Sequence, residues 1–216
     1  SIQAARGSGD SPHVRVSMMR ADLAKREGDL RTQLLHLESV LSSHPEYAGL
    51  VAEPFLANHE ARGTLNEGLE KLQAHYARYP SLDLFNAIFQ ALRRQRGLNQ
   101  AWNFARAALQ RNPSLLGLDR LLEAQVSGEK TAQAAAGQQA AANVVTLNNP
   151  QSEAASPWTP ADDAVLMRSL IQKHTQRLDR YACQACGFKA KRFHWQCPGC
   201  NAWDTYAPKR LEELDG

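Results

Sequence analysis

Residues 181–207 read YACQACGFKAKRFHWQCPGCNAWDTYA and contain all four cysteines of the chain. The cysteines form two Cys-x-x-Cys pairs, Cys183 with Cys186 and Cys197 with Cys200. Each pair predicts a tight turn whose backbone N–H groups point at the sulfurs, and the spacer brings the two turns face to face. The segment is therefore predicted to fold around one tetrahedral metal ion bound by four thiolates.

Gly187 and Asn201 directly follow the two pairs, where the chain commonly needs the left-handed conformation that glycine and asparagine adopt most readily. The module is too small to fold by apolar burial alone. Metal affinity, on the order of 10–16 kcal/mol in zinc-finger peptides, is expected to supply much of its folding free energy. Four thiolates leave no open coordination position, which indicates a structural site. Zinc and iron both suit four sulfurs, so the ligand set leaves the metal's identity open.

Other interpretations of this segment stay open at the level of sequence. Two disulfides, a dithiol redox site or four free buried cysteines are alternatives to a metal site. His194 is expected to be a surface or packing residue, because four cysteines already fill a tetrahedral shell. The aromatic residues are expected to shield the sulfurs and contact the helices, and a nucleic-acid stacking platform is the alternative; they are Phe188, Phe193, Trp195, Trp203 and Tyr206.

Upstream of this module, glycine recurs at intervals of 35 and 34 residues, at Gly28, Gly63 and Gly97, and a proline follows each glycine by 17, 17 and 16 residues, at Pro45, Pro80 and Pro113. Glycine suits the turn at a helix C-terminus, and proline cannot continue a helix interior. Each period therefore predicts a helix, a turn at glycine, and a second helix that ends before the proline. Small residues such as Gly68 and Ala101 are expected to let neighbouring helices approach closely. The pattern resembles the tetratricopeptide repeat.

The predicted fold is mostly α-helical, with a solenoid of helical hairpins followed by the small metal domain. The segment before the last helix is rich in Ala, Gln, Asn, Gly and Ser and cannot bury enough apolar surface to offset its ordering entropy, although its alanines support part of a helix. Thr159 and Pro160 suit the start of the last helix. The predicted domains are repeats over 1–126 (about 14–47, 49–82, 83–115 and a partial 114–126), a flexible insertion over 127–156, a linking helix over 157–180, the metal domain over 181–207 and a tail over 208–216.

Composition excludes several functions. A formal net charge of +3, with basic residues interleaved among acids, does not indicate a nucleic-acid partner. No stretch approaches the roughly 18–20 consecutive apolar residues of a membrane-spanning helix. Four cysteines gathered at one end favour a reducing compartment.

No nucleophile elbow, phosphate-binding glycine loop or His-Glu-x-x-His motif is present, so no enzyme is predicted. The chain begins at Ser1 without methionine and is expected to be a fragment or a processed chain.

Helical repeats followed by a Tyr-x-Cys-x-x-Cys-Gly-Phe … Trp-x-Cys-Pro-x-Cys-x-Ala-Trp module resemble the lipopolysaccharide assembly protein B family. The residues that carry the resemblance are Tyr181, Cys183, Cys186, Gly187, Phe188, Trp195, Cys197, Pro198, Cys200, Ala202 and Trp203. Asn201 departs from it, because rubredoxins usually carry glycine there. The resemblance implies a rubredoxin-like metal domain packed against the repeats. It also implies a place on the cytoplasmic side of the bacterial inner membrane, through an N-terminal anchor absent from this chain.

The same resemblance implies protein partners: the membrane protease FtsH, other lipopolysaccharide synthesis or assembly proteins, and LpxC, the deacetylase that commits lipid A synthesis. The predicted function is a non-enzymatic regulatory adaptor that presents LpxC to FtsH. A rubredoxin-type electron carrier with the repeats as a docking arm is the alternative. The first helix of each repeat is expected to line a concave partner surface, formed by Arg15, Met18, Asp22, Lys25, Arg26, Glu53, Glu60 and Arg94, with Ala57, Leu84, Ala87 and Ala91 by the same counting.

Overall fold

The computed structural model describes residues 11–141, 160–175 and 179–213. The chain divides into two compact units. One combines the first helices with the C-terminal segment, and the other comprises the helices between them; their bounds are Ser1–Arg94 with Arg177–Gly216, and Gln95–Gln176.

The helical part of the first unit consists of consecutive antiparallel hairpins. Neighbouring helices pack against one another in chain order from α1 to α4, and the ring of Tyr76 on α4 lies 6.2 Å from that of Phe85 on α5. The helices are α1 (Ser11–Arg26), α2 (Leu30–Ser43), α3 (Ala48–Ala61), α4 (Leu65–Arg78) and α5 (Leu82–Gln95), with a 3-10 turn at Pro45–Tyr47 between α2 and α3.

The turns form where the periodic glycines predicted them. Gly28 and Gly63 have φ angles of +78° and +72°, and Gly97 in the second unit has +83°. A side chain at such a φ is strained, which is why glycine recurs there. The helices α2 and α4 end at Ser43 and Arg78, two residues before a proline in each case. The mostly helical fold is thereby confirmed, whereas the assignment to the tetratricopeptide family stays a prediction.

Close packing within the second hairpin depends on a small residue. Leu37 of α2 and Leu72 of α4 are fully buried. Gly68 lies one turn before Leu72, and a Cβ built on it would be only 2.7 Å from Cγ of His59 on α3. The expected close approach of helices at Gly68 is therefore observed in α3 and α4.

The second unit contains α6 (Leu98–Arg111), α7 (Leu115–Ala141) and α8 (Pro160–Thr175). The helices α7 and α8 pack through a small apolar core formed by Leu118, Leu122, Val126, Ala164 and Ile171. Beside it, Arg168 of α8 pairs with Asp119 and Glu123 of α7, both at 3.2 Å. These ion pairs fix which face of α8 meets α7.

The prediction of a flexible insertion over 127–156 is wrong in its first part, because α7 continues to Ala141. Alanine and glutamine have high helix propensity. A helix that has already nucleated extends at little further cost, so tertiary burial is not required to continue it. Residues 142–156 and the predicted cap Thr159 lie outside the described part of the chain.

The C-terminal segment of the first unit contains the two-stranded antiparallel sheet of β1 (Tyr181–Ala182) and β2 (Lys189–Ala190). A 3-10 turn at Leu211–Glu213 follows. Within the described ranges, no helix has both the length and the apolar character that crossing a bilayer requires.

Gly68→Ala tests the packing of α3 on α4. The added methyl group meets the ring of His59 and its Cβ at 2.7–2.9 Å, so we expect a loss of about 1–3 kcal/mol in the free energy of unfolding, measured by urea denaturation with circular dichroism. Gly128→Ala is the matched control, because nothing lies within 4 Å of its Cβ position; it should stay within about 1 kcal/mol of the wild type. Equal stability of Gly68→Ala and wild type would contradict this packing.

Candidate metal centre

The four predicted ligands meet at one point. The sulfurs of Cys183, Cys186, Cys197 and Cys200 all lie within 4.8 Å of one another. The distance is 3.8 Å between Cys183 and Cys200 and 3.7 Å between Cys186 and Cys197. A tetrahedron with metal–sulfur bonds of about 2.3 Å has edges of about 3.8 Å. The arrangement therefore fits one tetrahedral metal ion and does not distinguish zinc from iron.

The sulfur distances also address the disulfide alternative. A disulfide joins two sulfurs at about 2.05 Å, and all four cysteines are free. The distances of 3.7 and 3.8 Å both join sulfurs of different Cys-x-x-Cys pairs. The two pairs therefore face each other, as an ion between them requires. We call this arrangement the four-sulfur site.

The two turns have the same backbone geometry. Cys183 N–H donates to Phe188 O at 2.9 Å, and Cys197 N–H donates to Ala202 O at 2.8 Å. The backbone N–H of the residue after each pair closes the turn. Gly187 N–H donates to Cys183 O at 2.8 Å, and Asn201 N–H donates to Cys197 O at 2.9 Å.

The predicted left-handed residues are confirmed at both turns. The φ angle is +76° at Gly187 and +59° at Asn201. Asparagine is one of the few side chains that tolerate this conformation, so Asn201 serves where glycine serves in the first turn. The second turn also needs Gly199, because a Cβ there would lie 3.0 Å from the ring of Phe188.

Hydrogen bonds prepare the sulfurs for a cation. Burial raises the pKa of the Cys183 thiol, but its hydrogen bond with Thr205 and those with backbone N–H groups outweigh burial and lower the pKa to about 6. Gly199 N–H donates to Cys197 Sγ at 3.3 Å. At Cys186 the opposing effects have the other net result. The hydrogen bond with the Phe188 backbone lowers the pKa of this thiol, but desolvation and the neighbouring cysteine sulfurs together raise it further, so its pKa lies above the ordinary value. Mutual repulsion of thiolates is relieved by a cation between them.

Part of the predicted aromatic core is observed. The ring of Phe193 lies 5.9 Å from that of Tyr181, 4.8 Å from that of Trp195 and 6.3 Å from that of Tyr206. Burial raises the pKa of Tyr206 to about 12, and its hydroxyl donates to a backbone carbonyl at 3.2 Å. His194 packs against the ring of Tyr206 at 5.8 Å and is not among the clustered ligands.

The prediction that these aromatic residues shield the sulfurs is wrong for Phe188 and Trp203, whereas the predicted contact with the helices is observed for Trp203. Their side chains are 43% and 55% exposed. Phe188 covers Gly199 on the outside of the module. Trp203 lies under the guanidinium of Arg15, 4.5 Å from the ring centroid, and so contacts the helices rather than the sulfurs.

The module is held on the start of α5 by one carboxylate. Asp83 accepts hydrogen bonds from the Tyr181 hydroxyl and from the Arg210 guanidinium, whose Nε lies 2.9 Å from Oδ1. Arg210 is only 6% exposed, so its charge depends on this partner. Burial and the adjacent Asp83 raise the pKa of Tyr181, which keeps the hydroxyl a donor.

A second carboxylate completes the attachment. Glu213 accepts the N–H of Leu82, the first residue of α5, at 3.0 Å and the N–H of Arg210 at 2.9 Å. It thereby adds to the cap of the α5 N-terminus that Ser81 provides, whose hydroxyl oxygen accepts the N–H of Leu84 at 3.4 Å. The predicted tail over 208–216 is thus part of the attachment up to Glu213. We call Asp83, Tyr181, Arg210 and Glu213 the Asp83 cluster.

Two further contacts join the module to the first hairpins. The ring of Trp195 stacks on that of Tyr47 at 6.1 Å with an interplanar angle of 12°. Arg15 on α1 forms an ion pair with Asp204 at 3.4 Å. Arg15 is predicted to contact a partner, but in the structure its side chain pairs with Asp204 of the same chain.

The other predicted partner residues divide by exposure. Leu84, Ala87 and Ala91 are buried, so their assignment to the partner surface is wrong, because these apolar side chains of α5 pack inside. Met18 is half-buried. The exposed members are Asp22, Lys25, Arg26, Glu53, Ala57, Glu60 and Arg94, and their partner role stays a prediction.

The sequence analysis does not single out Asp83, Arg210 or Glu213 of the Asp83 cluster. An acidic residue in the first turn of a helix is common on electrostatic grounds alone, so Asp83 did not stand out. Arg210 and Glu213 follow the last aromatic residue of the module and read as a polar chain end. Their spacing of three residues, which suits one helical turn, was the available signal.

Fold and site together define a class of protein: helical hairpins on which a rubredoxin-like module with four cysteine ligands is docked. Residues 181–208 match the family model described as Rubredoxin metal binding domain. The chain is 23% identical over 207 residues to Lipopolysaccharide assembly protein B of Escherichia coli strain K12. The aligned region covers 96% of this chain and 46% of the relative.

The protein of the same name from Haemophilus influenzae is also 23% identical, over 93% of this chain and 44% of its own length. The resemblance to lipopolysaccharide assembly protein B that was predicted from the sequence is confirmed by these relatives. The chain spans less than half the length of either one.

Cys197→Ser tests the four-sulfur site. Removing one thiolate leaves three ligands and a smaller, weaker donor, so we expect the purified variant to lose most of the one equivalent of metal that the wild type binds, as measured by plasma mass spectrometry. Ala185→Ser is the control, because Ala185 is an exposed residue of the same turn and is not a ligand. Full metal content in Cys197→Ser would refute the four-ligand assignment.

Asp83→Asn tests the attachment of the module. The buried Arg210 guanidinium would lose its charged partner, so we expect a loss of about 2–3 kcal/mol in the free energy of unfolding. Lys71→Gln is the control, because Lys71 and Glu38 form a 2.7 Å ion pair with half-exposed side chains, and breaking it should cost less than about 1 kcal/mol. Equal losses for the two variants in urea denaturation would show that the Asp83 cluster has no special role.

Proposed function

We propose that the chain is a non-enzymatic regulatory adaptor of lipopolysaccharide biosynthesis, which presents the deacetylase LpxC to the membrane protease FtsH. The observation that carries this proposal is that the metal module and the hairpins α1–α5 form one compact unit, joined through the Asp83 cluster. A module attached in this way adds its surface to that of the helices. The names of the relatives, which are lipopolysaccharide assembly proteins, give the process.

The chemistry of the site supports a structural role for the metal. All four coordination positions of a tetrahedral ion are taken by cysteine sulfurs, so a substrate has no position to occupy. Cys183 and Cys197 are buried, and the Asp83 cluster connects the module to α5. The ion therefore keeps the module folded against the helices, and the protein surface does the binding.

The proposed recognition surface consists of the exposed residues on the first helices of the repeats. Asp22, Lys25 and Arg26 lie on α1, and Glu53 and Glu60 lie on α3. Both signs of charge are present, so this surface would select a partner by matching charges rather than by net attraction. The proposed location is the cytoplasmic face of the inner membrane, where the protease and the deacetylase are both accessible.

The electron-carrier alternative is not favoured. The relatives bear the name of an assembly protein, and the module is fixed to the helices by buried charges rather than left free to meet a redox partner. A bound ion that is zinc and does not respond to reductant would agree with the adaptor role.

The adaptor role is tested in the host bacterium by replacing the gene with variants and following the deacetylase after translation is stopped. If the protein presents LpxC for degradation, Cys197→Ser should lengthen the half-life of LpxC several-fold and raise lipopolysaccharide output, whereas Ala185→Ser should behave as wild type. A half-life that is unchanged even when the whole gene is deleted would contradict the proposal.

A further inference from the structure

The basic residues of the metal module are concentrated on one hairpin. Arg180, Lys189, Lys191 and Arg192 are all exposed, and they stand against a single acid, Asp179, within residues 179–192. Four cations and one acid give this segment a charge of +3, which equals the net charge of the whole chain. The rest of the chain is therefore neutral on balance, and the prediction that the basic residues are interleaved with acids is wrong for this segment.

The backbone brings these four residues, which we call the basic hairpin, close together. Lys189 lies in β2 opposite Ala182, and Lys191 and Arg192 directly follow that strand. Arg180 precedes β1, and its N–H donates to Ala190 O at 3.0 Å, which places it beside the end of β2. Like charges on neighbouring strands repel one another.

No ion pair with the described part of the chain relieves this repulsion. None of the four basic side chains forms an ion pair with the residues that the structure describes, and Asp204, the next acid after Asp179, is paired with Arg15. An external anionic partner would relieve the repulsion.

We propose that the basic hairpin binds the anionic phospholipid surface of a bilayer. A cluster of at least four Lys or Arg side chains is the size that recognises anionic headgroups. Phe188, which directly precedes Lys189, is 43% exposed and supplies an apolar group for the interface, as in peripheral membrane segments that combine basic and aromatic residues. The inference goes beyond the adaptor role and does not depend on it.

Other anionic partners fit this surface less well. Single-stranded nucleic acid is bound by several exposed aromatic faces on which successive bases stack. Phe193, Trp195 and Tyr206 face the module's own core or Tyr47, and the guanidinium of Arg15 covers the ring of Trp203, which leaves Phe188 as the exposed ring beside the basic hairpin. An acidic peptide added as a further strand requires a long free edge, and each strand here has two residues. A bilayer surface requires neither feature.

The test is co-sedimentation of the purified, metal-loaded chain with vesicles of phosphatidylcholine alone or with one quarter phosphatidylglycerol. We expect binding to the anionic vesicles only, and loss of that binding at high salt. The variant Lys189→Gln, Lys191→Gln, Arg192→Gln should bind at least about tenfold more weakly, because it removes three basic residues, each of which contributes a factor of up to about five near an anionic surface.

A matched control removes three positive charges elsewhere in the first unit. Arg20→Gln, Arg62→Gln and Arg78→Gln change exposed residues on or next to the helices and should leave vesicle binding within about twofold of wild type. Equal weakening in both triple variants would show an effect of net charge alone and overturn the proposal. Absence of wild-type binding to anionic vesicles would overturn it as well.

Two further measurements keep the test decisive. Metal content is determined for each variant; if the triple variant loses metal, the double variant Lys191→Gln, Arg192→Gln, whose changes lie outside the strands, is expected to retain the metal and to bind vesicles several-fold more weakly. Unchanged vesicle binding by that double variant contradicts the proposal. Fluorescence anisotropy with a poly-uridine oligomer and a poly-glutamate peptide covers the other partners, and tighter binding to either one than to the vesicles overturns the assignment to lipid.

Discussion

The coordination of one metal ion by four sulfurs is the constraint on which the C-terminal segment of the first unit depends. The module has few buried residues apart from its cysteines, chiefly Tyr181, Ala190 and Tyr206. Burial of that size does not offset the entropy of ordering a segment this short. Metal–thiolate bonds therefore supply much of the folding free energy, and the two matching turns are the backbone geometry that lets four sulfurs converge.

The Asp83 cluster converts a folded module into a docked one. Asp83 and Arg210 form a largely buried charge pair, and such a pair contributes modest net stability because both charges are desolvated. Its main consequence is orientation: the guanidinium and the Tyr181 hydroxyl both meet one carboxylate, and Glu213 binds the first N–H of α5. Metal binding and docking are therefore linked, because a folded module brings together the side chains of Tyr181, Arg210 and Glu213 that contact the first turn of α5.

Local signals explain what the sequence predicted correctly. Cys-x-x-Cys spacing, the left-handed residues Gly187 and Asn201, and the periodic glycines each act within a few residues, so their structural outcome can be read from sequence. The Asp83–Arg210 contact joins residues 127 positions apart, which no local pattern encodes. The burial of Leu84 and the continuation of α7 to Ala141 were missed because repeat counting locates a helix without fixing its buried face or its end.

Hydrogen–deuterium exchange of the metal-loaded and chelator-treated protein tests the link between the metal and the helices most directly. The N–H of Leu82 is bonded to Glu213, so its exchange reports whether the module is docked. Metal removal should accelerate exchange at Leu82 and in β1 and β2, while amides in the middle of α2 keep their protection. Unchanged protection of Leu82 after the metal has been removed would contradict the dependence of the docked module on the four-sulfur site.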